Sequence, residues 1–142
     1  VEEERDDMST AAAVLESTPA IAGEAASRVG LTQATIDLLQ DLIAQHGELM
    51  FHQSGGCCDG SAPMCFPAGE FLTSDADVLL GTFEVPLAGG GTSPLEFWMS
   101  VEQFEYWKHT KLTIDVVPGR GAGFSVESPT GKRFLIRSAL ME

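Results

Sequence analysis

The sequence predicts an α+β fold: a single domain with a largely antiparallel β-sheet of about six strands, one long helix and one short one. Three observations lead there. Only one long stretch, 33–45, repeats its apolar residues at helical spacing. Much of the chain beyond Gly47 alternates with the period of two that suits a strand with one buried face. Turn sequences, not further helices, separate most of those runs, so helices and strands segregate. At 142 residues the chain can bury a core of its own and does not call for a second domain.

Residues 1–28 hold seven acidic residues against Arg5 and Arg28, are rich in Ala and Ser, and lack a sustained apolar face. They are expected to form a disordered, solvated tail, leaving 29–142 as the domain. Thr32 is a good N-cap, and Ile36, Leu39, Leu42 and Ile43 form the stripe of a helix over Gln33 to Gln45. Gly47 stops it. In the strand Glu48 to His52, Leu49 and Phe51 share one face while Met50 and His52 share the other. Further strands are expected over Val78 to Val85, Leu95 to Met99, Lys111 to Val117, Ala122 to Glu127 and Arg133 to Leu140. Ser100 caps a short helix, Val101 to Lys108, with His109 beyond it where an imidazolium suits the helix dipole. The run Gly89-Gly90-Gly91 reads as a loop, because the lysine and serine of a phosphate-binding loop are missing and no helix follows directly. The rings of Phe97, Trp98, Phe104, Tyr106 and Trp107 read as core.

All three cysteines fall in one stretch, His52-Gln53-Ser54-Gly55-Gly56-Cys57-Cys58-Asp59-Gly60-Ser61-Ala62-Pro63-Met64-Cys65. Glycines bracket the adjacent pair, so the backbone can turn tightly there and bring thiols together. Crowding into turn-forming sequence points to chemistry, since cysteines used as small hydrophobes would be scattered along helices and strands. An odd number with two adjacent is a poor disulfide framework and a reasonable set of thiolate ligands in a reducing compartment. Cys57, Cys58 and Cys65 supply at most three thiolates, and His52 is the nearest fourth ligand in sequence for iron, zinc or copper. Met50 and Met64 are soft enough for copper, but methionine near a loop more often fills gaps in packing. Thiol redox chemistry, with Cys58 and Cys65 pairing, and inert structural cysteines are the competing readings. No Cys–His–carboxylate arrangement for nucleophilic catalysis is legible, because His46 falls on the polar face of the long helix.

A net charge of −13 with only eight Lys and Arg excludes a phosphate-binding basic face, and with it nucleic acid and anionic membrane surfaces as partners. No apolar run approaches the ~20 residues of a spanning helix. The chain opens with Glu2-Glu3-Glu4 in place of a basic region before an apolar segment, so a cytoplasmic protein is expected.

Gly56-Cys57-Cys58-Asp59-Gly60 resembles the Gly-Gly-Cys-Ser-Gly loop of the A-type iron–sulfur carrier proteins, with Cys58 matching the carrier cysteine. Ser100 to Phe104, Leu112 to Val117 and Gly121 to Phe124 are similar to their short helix, Ile-Asp-Tyr type strand and Gly-Ser-Gly-Phe type hairpin. That resemblance implies the carriers' fold and an iron–sulfur cluster, yet their closing Cys-Gly-Cys pair has no counterpart in Arg137 to Glu142. The chain is also identified as a member of the small bacterial family catalogued as domain of unknown function 779. The residues that carry this likeness are Phe51 to Gly60, Phe104 to Thr110 and Ile114 to Gly121, within a likeness covering most of 48–138. Members are often encoded beside aldehyde dehydrogenases, which implies an accessory role for such a client.

The function expected is therefore a metal- or iron–sulfur-binding accessory protein that uses Cys57, Cys58, Cys65 and His52 and serves an aldehyde dehydrogenase or another client. The alternative is a small thiol-redox or metal-dependent enzyme built on the same loop. An incomplete ligand set leaves a coordination position for a substrate, for cluster handover or for a second subunit of a homodimer.

Overall fold

Thr32 ends one strand and begins the long helix, and that junction fixes how the first half of the fold is laid out. In the computed structural model, which describes residues 12–53, 62–70, 72–119 and 125–140, the order begins β1 (Ala13–Glu16), β2 (Thr18–Pro19), β3 (Val29–Thr32) and α1 (Gln33–His46). Then come β4 (Leu49–Gln53), β5 (Met64–Pro67), β6 (Asp77–Pro86), β7 (Thr92–Ser100), α2 (Val101–Trp107), β8 (Thr110–Pro118), a 3-10 turn at Ser128–Thr130 and β9 (Lys132–Leu140). The Thr32 side chain accepts the Thr35 N–H at 3.2 Å, and the Gly47 N–H closes the helix on the Ile43 carbonyl at 2.8 Å. Gly47 has φ +82°, a value that only glycine adopts without strain.

The α+β class, with one long and one short helix, holds. Among the described residues the strands number nine and form two sheets, ordered β1-β3-β8-β9 and β2-β6-β7-β4-β5, where one sheet of about six was expected. Pairing is largely antiparallel, with two parallel exceptions: β3 on β8 and β4 on β7. Both sheets turn apolar faces to a common core. From the first come Val29, Leu31, Leu112, Ile114, Phe134 and Ile136, and from the second Leu49, Phe51, Leu95, Phe97 and Met99, while α1 adds Ile36, Leu39 and Leu42. Phe51 joins the layers, its ring meeting that of Phe134 edge to face at 4.9 Å and tilting against Phe97 at 5.9 Å. Each such fully buried ring contributes about 1.5–3 kcal/mol through removal from water.

Two expectations about boundaries are corrected. Residues 12–28 do not form a solvated tail: β1 pairs with β3, β2 pairs with β6, and the Ser17 N–H and hydroxyl both bond to the Ser27 hydroxyl. The four-residue alternation Ala13-Val14-Leu15-Glu16 was too short to stand out among acidic neighbours. Residues 1–11 of the expected tail lie outside the described residues. The strand expected over Ala122 to Glu127 is not formed at Ser125 to Glu127, which turn into the 3-10 segment, and the rest of that span lies outside the described residues. By contrast the glycine run Gly89 to Gly91 is the plain turn expected, with the Leu87 N–H on the Gly91 carbonyl at 3.0 Å joining β6 to β7.

Candidate functional site at the mouth of the cysteine loop

Cys57 and Cys58 lie outside the described residues, but both anchors of their loop are well defined. The chain leaves the sheet at Gln53, the last residue of β4, and is back in it by Met64, the first of β5. The two strands are antiparallel neighbours, with Phe51 opposite Cys65 and His52 opposite Met64. Because side chains alternate along a strand, this register sends Phe51 and Cys65 to one face and His52 and Met64 to the other.

His52 is buried, at 2% exposure, although it belongs to the face turned away from the core. Its Nε2 lies 2.7 Å from Asp77 Oδ1 at the start of β6. Asp77 is fixed in turn, Oδ2 accepting the Ser74 N–H at 2.9 Å and its own N–H donating to the Ser74 carbonyl at 3.0 Å. The hydrogen bond from His52 holds the Asp77 carboxyl below the usual range in spite of partial burial. An ionised carboxylate only accepts, so Nε2 is the donor of this hydrogen bond. Carboxylate–imidazole pairs of this kind orient ligating histidines in metal sites.

Cys65 belongs to a different environment. It is fully buried among the core residues, its N–H donates to Ser125 Oγ at 2.8 Å, and its carbonyl accepts the Val126 N–H at 3.0 Å. Burial first, and then the charge of Glu127, push the thiol well above its ordinary value. Such a thiol stays protonated, the reverse of what a nucleophile or redox-active cysteine needs. Glu127 is itself fully buried and accepts a hydrogen bond from Ser125 Oγ. Its Oε2 has no hydrogen-bond partner among the described residues, and burial raises its pKa.

The structure therefore does not bring Cys65 and His52 to one point; the strand pleat lies between them. Among the described residues no group of three His, Cys, Asp or Glu converges as a metal site. His46, at the end of α1, and His109, after α2, are exposed. A cleft of about 290 Å³ lies elsewhere, between α1 and the end of β8, lined by Asp37, Leu38, Asp41, Val116 and Lys132 among others. Sequence reasoning missed Asp77, Ser125 and Glu127. Asp77 was legible only as part of an acidic turn, because the pairing with His52 spans 25 residues.

What the fold and this site define is a two-sheet α+β protein with a cysteine loop hung between neighbouring strands and a carboxylate-held imidazole at its mouth. The chain belongs to the family described as Domain of unknown function (DUF779), whose profile matches residues 38–140. The match takes in β4 to β9 and most of α1, and leaves β1, β2 and β3 ahead of it. No curated protein matches the chain. Among the described residues no helix is long and apolar enough to cross a membrane.

Proposed function

We propose that this chain is a metal-binding accessory protein whose loop thiolates, Cys57 and Cys58, act with His52. The observation that carries the reading is the buried His52–Asp77 pair, which fixes an imidazole where the loop leaves the sheet. Two thiolates and one imidazole suit a single thiophilic ion, iron, zinc or copper, with one coordination position left open. Cys65 is left out of that set, because the register of β4 and β5 turns it to the face opposite His52. An iron–sulfur cluster asks for four ligands, mostly thiolates, which one chain cannot supply through the loop pair alone. Two chains, as a homodimer, would bring four. A bound ion supplies Lewis acidity or a transferable metal; this chain's own residues bind it, orient the imidazole and, through Asp77, balance its charge.

The client we propose is an aldehyde dehydrogenase, in a cytoplasmic setting. The support for it is the accessory role that the family resemblance implies, together with the need of a catalytic cysteine for protection or maturation. The test is anaerobic purification with metal quantified per chain, repeated for Cys58→Ser and His52→Ala, with the oligomeric state measured alongside. One ion per chain, lost in both variants, supports the mononuclear form, and one cluster per two chains supports the dimeric form. A parent protein that takes up no iron, zinc or copper on reconstitution ends the proposal.

A further inference from the structure

Charge is segregated in this chain. Residues 29–107 hold eleven Asp and Glu and not one Lys or Arg, so β4, β5, β6 and β7 all come from sequence without a fixed cation. The first sheet balances its own charges, with Lys111 Nζ 2.7 Å from Glu16 and Arg137 Nε 2.9 Å from Asp115. The second sheet does not. On its face turned away from the core, Glu84 and Glu96 are exposed, as is Glu48 just ahead of β4, and among the described residues none of the three is in an ion pair. Register sets Glu96 opposite Thr82 and Glu84 opposite Pro94, so the two carboxylates are diagonal neighbours on paired strands, close enough to repel. Beside them the same face is apolar. Phe66 and Met50 share the row of Glu96, and the next row runs Met64, His52, Trp98, Leu79. Phe66, Trp98 and Leu79 are half-buried, and a cleft of about 200 Å³, lined by Glu48, Met50, Ala68, Pro94 and Glu96 among others, opens here.

We propose that this face docks a partner protein through a basic amphipathic segment, its apolar side on Phe66, Trp98 and the Met50 cleft and its Lys and Arg against Glu48, Glu84 and Glu96. Charge complementarity is what selects that occupant: three exposed carboxylates without a cation stand around an apolar floor, and a segment carrying both characters satisfies both. Aromatic and methionine side chains inside a polar rim are the usual make-up of a protein interface, and methionine adapts to the shape laid on it. A helix with Lys and Arg flanking a Leu stripe is the simplest segment of this kind. The Trp98 N–H already donates to Glu96 Oε1 at 2.9 Å, which turns the indole toward the acidic rim. Unpaired carboxylates also raise the rate of encounter with a basic partner, since the field they set up reaches beyond contact distance. Neither the His52 ring nor the loop cysteines take part, so the docking surface and the metal reading can fail separately.

The probe is a synthetic Lys/Leu peptide of about 18 residues with helical spacing, titrated calorimetrically into the full chain, with amide chemical shifts mapped in parallel. Shifts in the parent should concentrate on β4, β6 and β7, and binding should weaken as salt rises from about 0.05 to about 0.5 M. An oligolysine of equal charge should bind at least about tenfold more weakly, because it leaves the apolar floor uncovered. Glu84→Lys with Glu96→Lys alters only exposed side chains and should cost at least about tenfold in affinity. Asp37→Lys with Asp41→Lys, on the exposed side of α1, changes the net charge by the same amount and should leave affinity within about twofold. If both pairs weaken binding alike, or oligolysine binds as well as the Lys/Leu peptide, the chain is responding to net charge and there is no docking surface. Absence of binding by the parent, or shifts centred on α1 or the first sheet, overturns it too. If the parent self-associates and the Glu84/Glu96 pair abolishes that, the occupant is a second copy of the chain and the basic partner is ruled out.

Discussion

His52 and Cys65 sit on adjacent strands one position out of register, and so face opposite sides of the same sheet. A metal held by one is out of reach of the other. Cys65→Ala should therefore leave metal per chain unchanged, and should cost stability of about 1 kcal/mol, on the scale of removing one buried heavy atom. Native protein treated with a thiol reagent should leave Cys65 unmodified until it is unfolded, which peptide mass mapping will show. Loss of metal in Cys65→Ala with the fold intact would overturn the assignment.

The Asp77 carboxyl titrates below its ordinary value because it accepts a hydrogen bond from His52. A lowered folded pKa gives stability that is present above the unfolded value and is lost as pH falls through the folded one. Asp77→Asn should accordingly be less stable than the parent near neutral pH, by about 1–3 kcal/mol. The gap should narrow below the usual carboxylate range. Urea unfolding at pH 7 and pH 3 measures both.

Glu127 carries the opposite sign. Its folded pKa is raised by burial, so the unfolded chain gives up this proton first and stability drains away as pH rises from the unfolded value to the folded one. Glu127→Gln removes that slope. The variant should gain on the parent between pH 4 and pH 7 by on the order of 1 kcal/mol for each unit of the raised pKa. A gap that stays flat across that range would show that Glu127 is not held out of water.

At Gly81 a Cβ would lie 2.7 Å from both Cβ and Oγ of Ser17, and 3.1 Å from the Thr18 carbonyl. Gly81→Ala should destabilise by about 1–3 kcal/mol as an overpacking change. Ser17→Gly in the same chain should restore part of the loss, and thermal melts of the single and double variants distinguish this from a simple propensity effect.

The long helix was legible nearly to the residue because its signals are local: Thr32 caps, Gly47 stops, and the apolar stripe between them is unbroken. β4, β6, β7, β8 and β9 were legible for the same reason, through alternation within each run. β3 was not, since Val29-Gly30-Leu31-Thr32 is only four residues long with a glycine inside it, and its partner β8 is recognised only once the chain has folded. β5 was read as part of the cysteine loop because Met64-Cys65-Phe66-Pro67 follows turn-forming sequence closely. The division into two sheets is a matter of strand partners, to which local periodicity is blind. At the site, sequence proximity correctly drew attention to His52 at the loop mouth. It also grouped His52 with Cys65, where the pleat of neighbouring strands separates them.

Strand β3 has its parallel partner in β8, and the Arg28 side chain reaches the Lys108 carbonyl at 2.6 Å across 80 residues of chain. The sheet β1-β3-β8-β9 is thus assembled from segments on either side of the other sheet's β4 to β7. During synthesis β1 and β3 must wait, paired only with each other, until the chain beyond Thr110 has emerged. Parallel pairing over such a separation closes a large loop before any contact rewards it, which slows folding. The hairpin of β6 and β7, nine paired positions joined by one glycine turn, is the piece able to form early. A ribosome-stalled chain ending before β8 should therefore protect β6 and β7 from proteolysis and leave β1 and β3 open to it.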